Sequence, residues 1–372
     1  LAEALGMALP GSATVPATNA LRYAYGEATG ERAVALAREE LRPSQILTPA
    51  AFDNAITTLM AIGGSTNAVV HLLAIARRAG VTLTLDRFDE ISARTPLIAN
   101  LRPSGEELFA RLNAVGGIPA LLDRLAPLLD STAITVTGQP LLGGRRPTPV
   151  EDTVLSTLDA PFAPTGGIAV VRGNLAPDGA LIKTSAATPA LLSHRGPALV
   201  FDDHHELADR IDDPDLDVTP DTVLVLRNAG PAGGPGMPEW GALPIPEKLL
   251  RQGVTDMVRI SDGRMSGTAF GTVVVHVAPE AAVGGPLSRV RTGDPIVLDV
   301  ARRRLMVDVP DDKLLAREPA RKAAAAPSGY LRLVDQHITQ ADAGCDFDFM
   351  TGTSPAPDVA PASIPAGWHG GW

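Results

Sequence analysis

The hydrophobic pattern changes period partway along the chain, and that change restricts the available folds more than any other feature. Before it, apolar residues recur at helical spacing over 32–41, 50–61, 66–79 and 117–128, broken by Gly and Pro. A Gly/Pro-rich, basic stretch follows, GQPLLGGRRPTP at 138–149, with the character of a boundary. Beyond it stand short β-branched runs at 168–171, 198–201, 223–226, 257–260, 272–277 and 296–300, separated by loops rich in Gly, Pro and Asp. This predicts a helical part followed by a β-rich domain, either a barrel or a sandwich. A length of 372 residues accommodates two domains, each with its own core. No internal repeat is visible, and the stretch after residue 350 is a Pro/Ala/Gly-rich, extended tail.

Composition removes several classes of function. With 36 Gly, 33 Pro and 4% aromatic residues, turns must be plentiful, which argues against a simple helical bundle. A net charge of −10 without a basic patch gives no reason to expect nucleic acid. No apolar run reaches the roughly 18–20 residues that span a bilayer. The apolar opening LAEALGMALPGSA lacks the basic n-region and initiating Met of a signal peptide. Cys345 is the single cysteine, so no internal disulfide forms, which fits a reducing compartment such as the cytoplasm.

Four segments depart from what a packed core requires. In GGSTNA (63–68), small residues at a helix start expose backbone N–H groups and the positive end of the helix dipole, a place for a carboxylate. Ser65, Thr66 and Asn67 equally suit an ordinary capped helix packed closely on a neighbour. NAGPAGGPGMPE (228–239) lacks the ending of a phosphate loop; its prolines fix its shape and its glycines permit close approach. It ends on Glu239, either a hard-cation ligand or a solvated surface carboxylate. ISDGRMSGTAFG (260–271) joins a strand-like run to a Gly-rich turn bearing Ser261, Asp262, Arg264, Ser266 and Thr268, without the hydrolase elbow pattern. The acidic run FDDHHELADRIDDPDLD (201–217) offers Asp202, His204, His205 and Glu206 as conceivable metal ligands, but a solvated helix between acidic loops is the simpler account.

Taken in order, GGSTNAVVHLLAIA, PTGGIAVVRGNLAPDGALIK, NAGPAGGPGMPE, ISDGRMSGTAFGTVVVHVAPEAAVGGPL and AGCDFDF resemble the family of dihydroxy-acid and sugar-acid dehydratases. The likeness runs from AEALGMALPGSATVPA to about Phe349, and RISDGRMSGTAFGT with GCDFDF is most similar to the arabinonate/xylonate branch. The resemblance implies an α/β fold class. Residues 1–145 would be the C-terminal, helix-rich portion of a cluster-binding α/β domain with a parallel sheet, 146–350 a β-barrel-like swivelling domain, and 351–372 the tail. It also implies a hydro-lyase that converts a 2,3-dihydroxy sugar acid to a 2-keto-3-deoxy acid, using an iron–sulfur cluster ([2Fe–2S] rather than [4Fe–4S]) and Mg²⁺. Ser266 would be the base, Thr268 its helper and Glu239 a Mg²⁺ ligand, with Ser65, Thr66, Asn67 and Arg264 at the substrate. The partner expected is a small sugar acid, and the assembly a homodimer or homotetramer.

In that family the cluster cysteines and the remaining Mg²⁺ ligands lie before the segment with which this chain begins, so the chain reads as truncated and, by itself, inactive. Two rivals stay open: a dihydroxy-acid dehydratase of branched-chain amino-acid synthesis, and a non-catalytic stand-alone fragment. One thiol cannot supply the three or four ligands of an iron–sulfur cluster. After anaerobic cluster reconstitution the chain is therefore expected to carry no stoichiometric iron or sulfide and no cluster absorption in the visible. A full cluster per chain would refute this, unless Cys345 bridged subunits.

Overall fold

The computed structural model describes residues 1–143, 153–239, 243–266, 270–320 and 328–351. Helices come first: α1 (Leu21–Glu39), α2 (Pro43–Ile46), α3 (Pro49–Ala61), α4 (Asn67–Arg78), α5 (Leu85–Arg94), α6 (Phe109–Ala114) and α7 (Gly117–Leu125). The predicted helices at 50–61, 66–79 and 117–128 are α3, α4 and α7, the last running into a 3₁₀ turn at Ala126–Leu128. The one expected over 32–41 is the second half of α1, whose start has no legible apolar face because none of its residues is buried. Pro49 opens α3, and the Thr48 hydroxyl accepts from the Ala51 N–H at 3.4 Å, a proline-plus-cap start. Expected to be buried all round, α4 instead shows one wet side. Val69, Val70, Leu72, Leu73 and Ala76 face the core while His71 and Ile75 are exposed. Among the described residues before 144 there are isolated bridges but no strand, so the implied parallel sheet is not among them.

The β-rich part is a barrel rather than a sandwich. Strands β1 (Ala169–Gly173), β2 (Ala176–Ile182), β3 (Ser193–Phe201), β4 (Val223–Leu226), β5 (Arg259–Ser261), β6 (Val273–Ala278), β7 (Pro295–Asp299) and β8 (Arg304–Val307) close in the order β1-β2-β6-β5-β4-β3-β7-β8. β3, β4, β5 and β6 run parallel to one another, and the remaining pairings are antiparallel except β8 with β1. β4 reads VLVL and is buried throughout, as a parallel strand covered on both faces must be. Two strands escape the sequence pattern: β2 (APDGALI) is interrupted by Pro177 and Gly179, and β8 opens on basic residues.

Alternation along the strands sorts their side chains into two cores. Val171, Ile182, Val225, Ile260, Val274 and Leu298 belong to a cluster drawn from around the barrel, which fills its interior. Their neighbours Val170, Leu181, Leu224, Val273 and Val275 join the cluster built on Phe52, Ile56 and Phe88 of the helices. The helical layer is also tied down by polar bonds. Ser92 Oγ donates to Ile168 O at 2.6 Å, and Asp89 accepts from the Val170 N–H at 3.3 Å and from Arg303 Nε at 2.8 Å.

The acidic run forms α8 (His204–Arg210), capped by Asp203, which accepts from the His205 and Glu206 N–H groups at 2.8 and 2.9 Å. Asp202 pairs with Arg227 and Glu206 with Arg210, so the segment is a largely exposed, ion-paired helix. The boundary at 144–152 and the tail at 352–372 lie outside the described residues.

Phe88 is fully buried on α5 and belongs to the core shared by helices and barrel. Phe88→Ala should therefore cost about 3–5 kcal/mol of unfolding free energy in urea titration. A loss within about 0.5 kcal/mol, typical of a surface site, would mean that helices and barrel do not share a core.

Candidate functional site

β4 and β5 are hydrogen-bonded parallel neighbours with Leu226 opposite Ser261, so the loops that follow them leave the barrel at one end. The first loop returns to meet the second, for Glu239 and Arg264 form a parallel bridge. Arg264 Nε donates to Met237 O at 2.6 Å. The third element is the start of α4. Asn67 Nδ2 donates to Glu239 Oε1 and to Met265 O, the latter at 3.3 Å, one residue before Ser266. Glu239 is exposed, Arg264 and Ser266 are half-buried and Asn67 is buried. Two Gly-rich loops and a helix N-terminus, far apart in sequence, thus converge.

The start of α4 differs in detail from the expectation. Thr66 is the N-cap residue and is buried, yet its side chain caps nothing. Ser65 Oγ instead accepts from the Asn67 N–H at 3.2 Å. The glycines of the 228–239 loop permit a close approach, but to protein groups. A Cβ on Gly230 would lie 2.7 Å from Glu280 Oε2, and one on Gly233 would lie 2.6 Å from Asn228 O. Thr268 lies outside the described residues.

Several further groups lie around the site, and of these only Asp262 stands in one of the four segments singled out from the sequence. Asp262 is wholly buried at the end of β5 and accepts from the N–H groups of Asn228 at 3.1 Å, Ala229 at 2.9 Å and Ala281 at 2.9 Å. Burial and the neighbouring Glu280 push its carboxyl up to about 7, against those three amide bonds. Glu280, also buried, accepts from the Ala232 and Gly233 N–H groups at 2.8 Å and from Gln340 Nε2 at 2.8 Å. Both carboxylates hold the 228–233 turn in place. Lys183 follows β2 in the Lys183–Ala186 turn, whose Ala186 O accepts from the Gly271 N–H at 2.9 Å, and burial draws its ammonium down to about 8. His276 is buried at φ +58° on β6, and neither ring nitrogen meets a hydrogen-bond partner among the described residues. Burial, with Arg264 and His71 nearby, lowers its pKa to about 3, so the ring is neutral.

The donors present fit Mg²⁺ in part and an iron–sulfur cluster not at all. Glu239 offers an exposed carboxylate, and Asn67 Oδ1 is a buried oxygen with no partner among the described residues, both hard donors of the kind Mg²⁺ accepts. Cys345, the single thiol, is pushed up to about 12 by burial and by Glu280, and it sits 3.1 Å from Met237 Sδ. A thiol that stays protonated is a poor metal ligand. Among the described residues no group of three or more His, Cys, Asp or Glu is placed to hold a metal. No described helix is long and apolar enough to cross a membrane.

With this geometry in place, comparison with known proteins identifies the class. Residues 1–143 match the dihydroxy-acid/6-phosphogluconate dehydratase N-terminal domain and residues 153–345 the C-terminal domain, so the chain belongs to that family. Among its relatives, an L-arabonate dehydratase of Azospirillum brasilense is 50% identical over 95% of this chain and 63% of that protein. A 6-deoxy-6-sulfo-D-gluconate dehydratase of Pseudomonas putida is 48% identical over 96% of this chain and 63% of that protein. A dihydroxy-acid dehydratase of Sulfurisphaera tokodaii is 45% identical over 90% and 61% respectively. The chain thus spans less than two-thirds of the length of these relatives.

The neutral His276 gives the fold a pH dependence whose sign is fixed. Its folded pKa lies near 3, below the ordinary 6.5, so only the unfolded chain takes up this proton between those values. Its contribution therefore favours the fold above pH 6.5 and is lost as pH falls toward 3, at up to about 1.4 kcal/mol per pH unit. His276→Asn, which tolerates positive φ, should flatten the acid limb of urea-unfolding stability by about one proton. An unchanged slope between pH 4 and 6 would refute the assignment.

Proposed function

We propose that the chain carries the proton-abstracting and carboxylate-gripping part of a hydro-lyase that converts a 2,3-dihydroxy sugar acid of the arabinonate/xylonate kind to a 2-keto-3-deoxy acid. The observation that supports this most is the meeting of Glu239, Asn67 and the Arg264–Ser266 segment at one end of the barrel. The sugar-acid dehydratases among the relatives, at 48–50% identity against 45% for the dihydroxy-acid dehydratase, favour a sugar acid over a branched-chain substrate.

Dehydration asks for removal of a weakly acidic C2 proton, departure of the C3 hydroxyl and a grip on the carboxylate. Ser266 is the group for the first task, its Oγ taking the C2 proton as an alkoxide, with Thr268 two residues on to orient it. Arg264 and the Ser65–Asn67 helix start would hold the substrate's carboxylate, the former by its charge and the latter by the positive end of the α4 dipole. A Mg²⁺ held at Glu239 would supply positive charge to stabilise the enolate-like intermediate and the alkoxide. The C3 hydroxyl needs a Lewis acid, which the thiol content of this chain does not furnish as an iron–sulfur cluster. The chain alone is therefore expected to be inactive. We further infer a homodimer or homotetramer in the cytoplasm for the enzyme, in keeping with the family and the single cysteine.

The test is a chimera in which the chain follows the N-terminal segment of the Azospirillum brasilense L-arabonate dehydratase. It should form 2-keto acid from L-arabinonate, while the chain alone should not. Ser266→Ala should lower turnover by at least about 10²–10⁴-fold and abolish exchange of the C2 proton with deuterated solvent. Glu239→Gln should instead be partly restored by added Mg²⁺. Native-rate C2 exchange in Ser266→Ala would assign the base to another residue. A chimera active on a branched dihydroxy acid but not on arabinonate would favour the branched-chain reading.

A further inference from the structure

The far ends of the two site loops meet at one buried side chain. Arg259 opens β5, and its side chain is 5% exposed. Nη1 donates to Leu243 O at 2.9 Å, Nη2 to Phe270 O at 3.2 Å and to Asp256 Oδ1 at 2.8 Å, and Nε to Met257 O at 3.2 Å. Leu243 follows Glu239 by four residues, and Phe270 follows Ser266 by four. One rigid fork therefore holds a carbonyl from each loop, equally far along the chain from the two groups given chemical roles.

The anchorage beneath the fork is equally specific. Asp256, 3% exposed, accepts from the Thr272 N–H at 2.9 Å, Thr272 Oγ1 at 2.7 Å and the Met257 N–H at 2.9 Å. Burial pushes the Asp256 carboxyl up, but its bonds with Thr188, Thr272 and Arg259 together hold it below the ordinary value, so the pair is ionic. Gly271 lies at φ +110°, and a Cβ there would sit 2.0 Å from Arg259 Nη2 and 2.4 Å from Asp256 Oδ1. The loop therefore crosses directly over the pair. Dehydrating a guanidinium and a carboxylate is costly, and apolar residues would fill the same space more cheaply. What apolar residues cannot supply is direction, because a planar fork with several donors fixes two backbone carbonyls relative to each other.

We propose that Arg259 is a positioning residue that couples the Glu239 loop to the Ser266 loop, holding them in register so that groups on separate loops act on one small molecule. Only that last clause rests on the dehydratase function proposed above. The coupling is a property of the fold and is measured without substrate.

The experiment is hydrogen–deuterium exchange on the whole chain, comparing the native protein with Arg259→Ala and Arg259→Lys. In Arg259→Ala, amides of 236–245 and 264–272 should exchange faster together, by at least about tenfold, while those of β1 and β3 stay near native. Methylguanidinium should restore protection to both loops, and tetramethylammonium at equal ionic strength should not. A lysine has one compact ammonium for four acceptors in different directions, so Arg259→Lys should fold yet still loosen both loops. It also serves as the readout should Arg259→Ala fail to fold. Loosening of one loop alone, a uniform rise over the barrel, or no response to methylguanidinium would overturn the coupling. Any of these would leave the dehydratase reading standing, and an inactive chimera with coupled loops would do the reverse.

Discussion

Asp262 is the carboxylate on which the site's construction depends. It lies at the end of β5, out of reach of water, and its two oxygens gather N–H groups from Asn228, Ala229 and Ala281. Those amides belong to the loop after β4 and the turn after β6, so one side chain joins the exits of three neighbouring parallel strands. Glu280 repeats the device one step outward on Ala232 and Gly233. An unpaired buried carboxylate would be strongly destabilising, and amide donors are the partners that make it tolerable. The glycines at 230 and 233 follow from the same requirement, since a Cβ at either would collide with Glu280 or with Asn228 O.

This also explains why a barrel carries the site. A sandwich offers loops at two ends and an edge to protect, whereas the closed order β1-β2-β6-β5-β4-β3-β7-β8 leaves no edge and groups the exits of its parallel strands at one rim. The helical layer approaches that rim through α4, and α5 is pinned to β1 by Asp89 and Ser92. The rigidity of a packed core is thereby passed to loops with few apolar residues of their own. Functional groups kept in place by such support do not need large binding energies to be ordered when substrate arrives.

Much of the fold was legible because periodicity survives wherever one face is dry. α3, α4 and α7 and six of the strands, β1 and β3 to β7, coincide with patterns visible in the sequence, β5 only through its first residues. β2 was not visible because Pro177 and Gly179 break its alternation, and β8 because its opening is basic. α1 buries no residue and so shows only its better-patterned second half. At the site, Glu239, Ser266, Arg264 and Asn67 stood in segments whose Gly and Pro content marked them as unusual. The supporting layer did not stand out. Glu280, Arg259 and His276 are single polar residues within or beside apolar runs, and only the tertiary contacts distinguish such a residue from one facing solvent; Asp262 stood in the ISDGRMSG segment, but its burial was not legible there. The close approaches expected of the glycines are made at Gly230 to Glu280 and at Gly233 to Asn228 O.

The identity of residue 67 shows how the two halves of the chain are matched. A carboxylate at the start of α4 would suit the helix dipole as well as an amide does. Beside Glu239, however, a second carboxylate would be repelled, whereas Asn67 donates from Nδ2 to Glu239 and to Met265 O at once. The same amide leaves Oδ1 buried and unpartnered among the described residues, an arrangement that a purely structural contact would avoid. A side chain chosen only to pack the helical layer on the barrel would be apolar here, as it is at Val69 and Val70 in the same helix. The amide keeps a polar opening next to an exposed carboxylate, one residue from the segment that carries Ser266. The contact between helices and barrel is therefore polar at the rim, through Asn67, and apolar at Val69 and Val70 in the same helix.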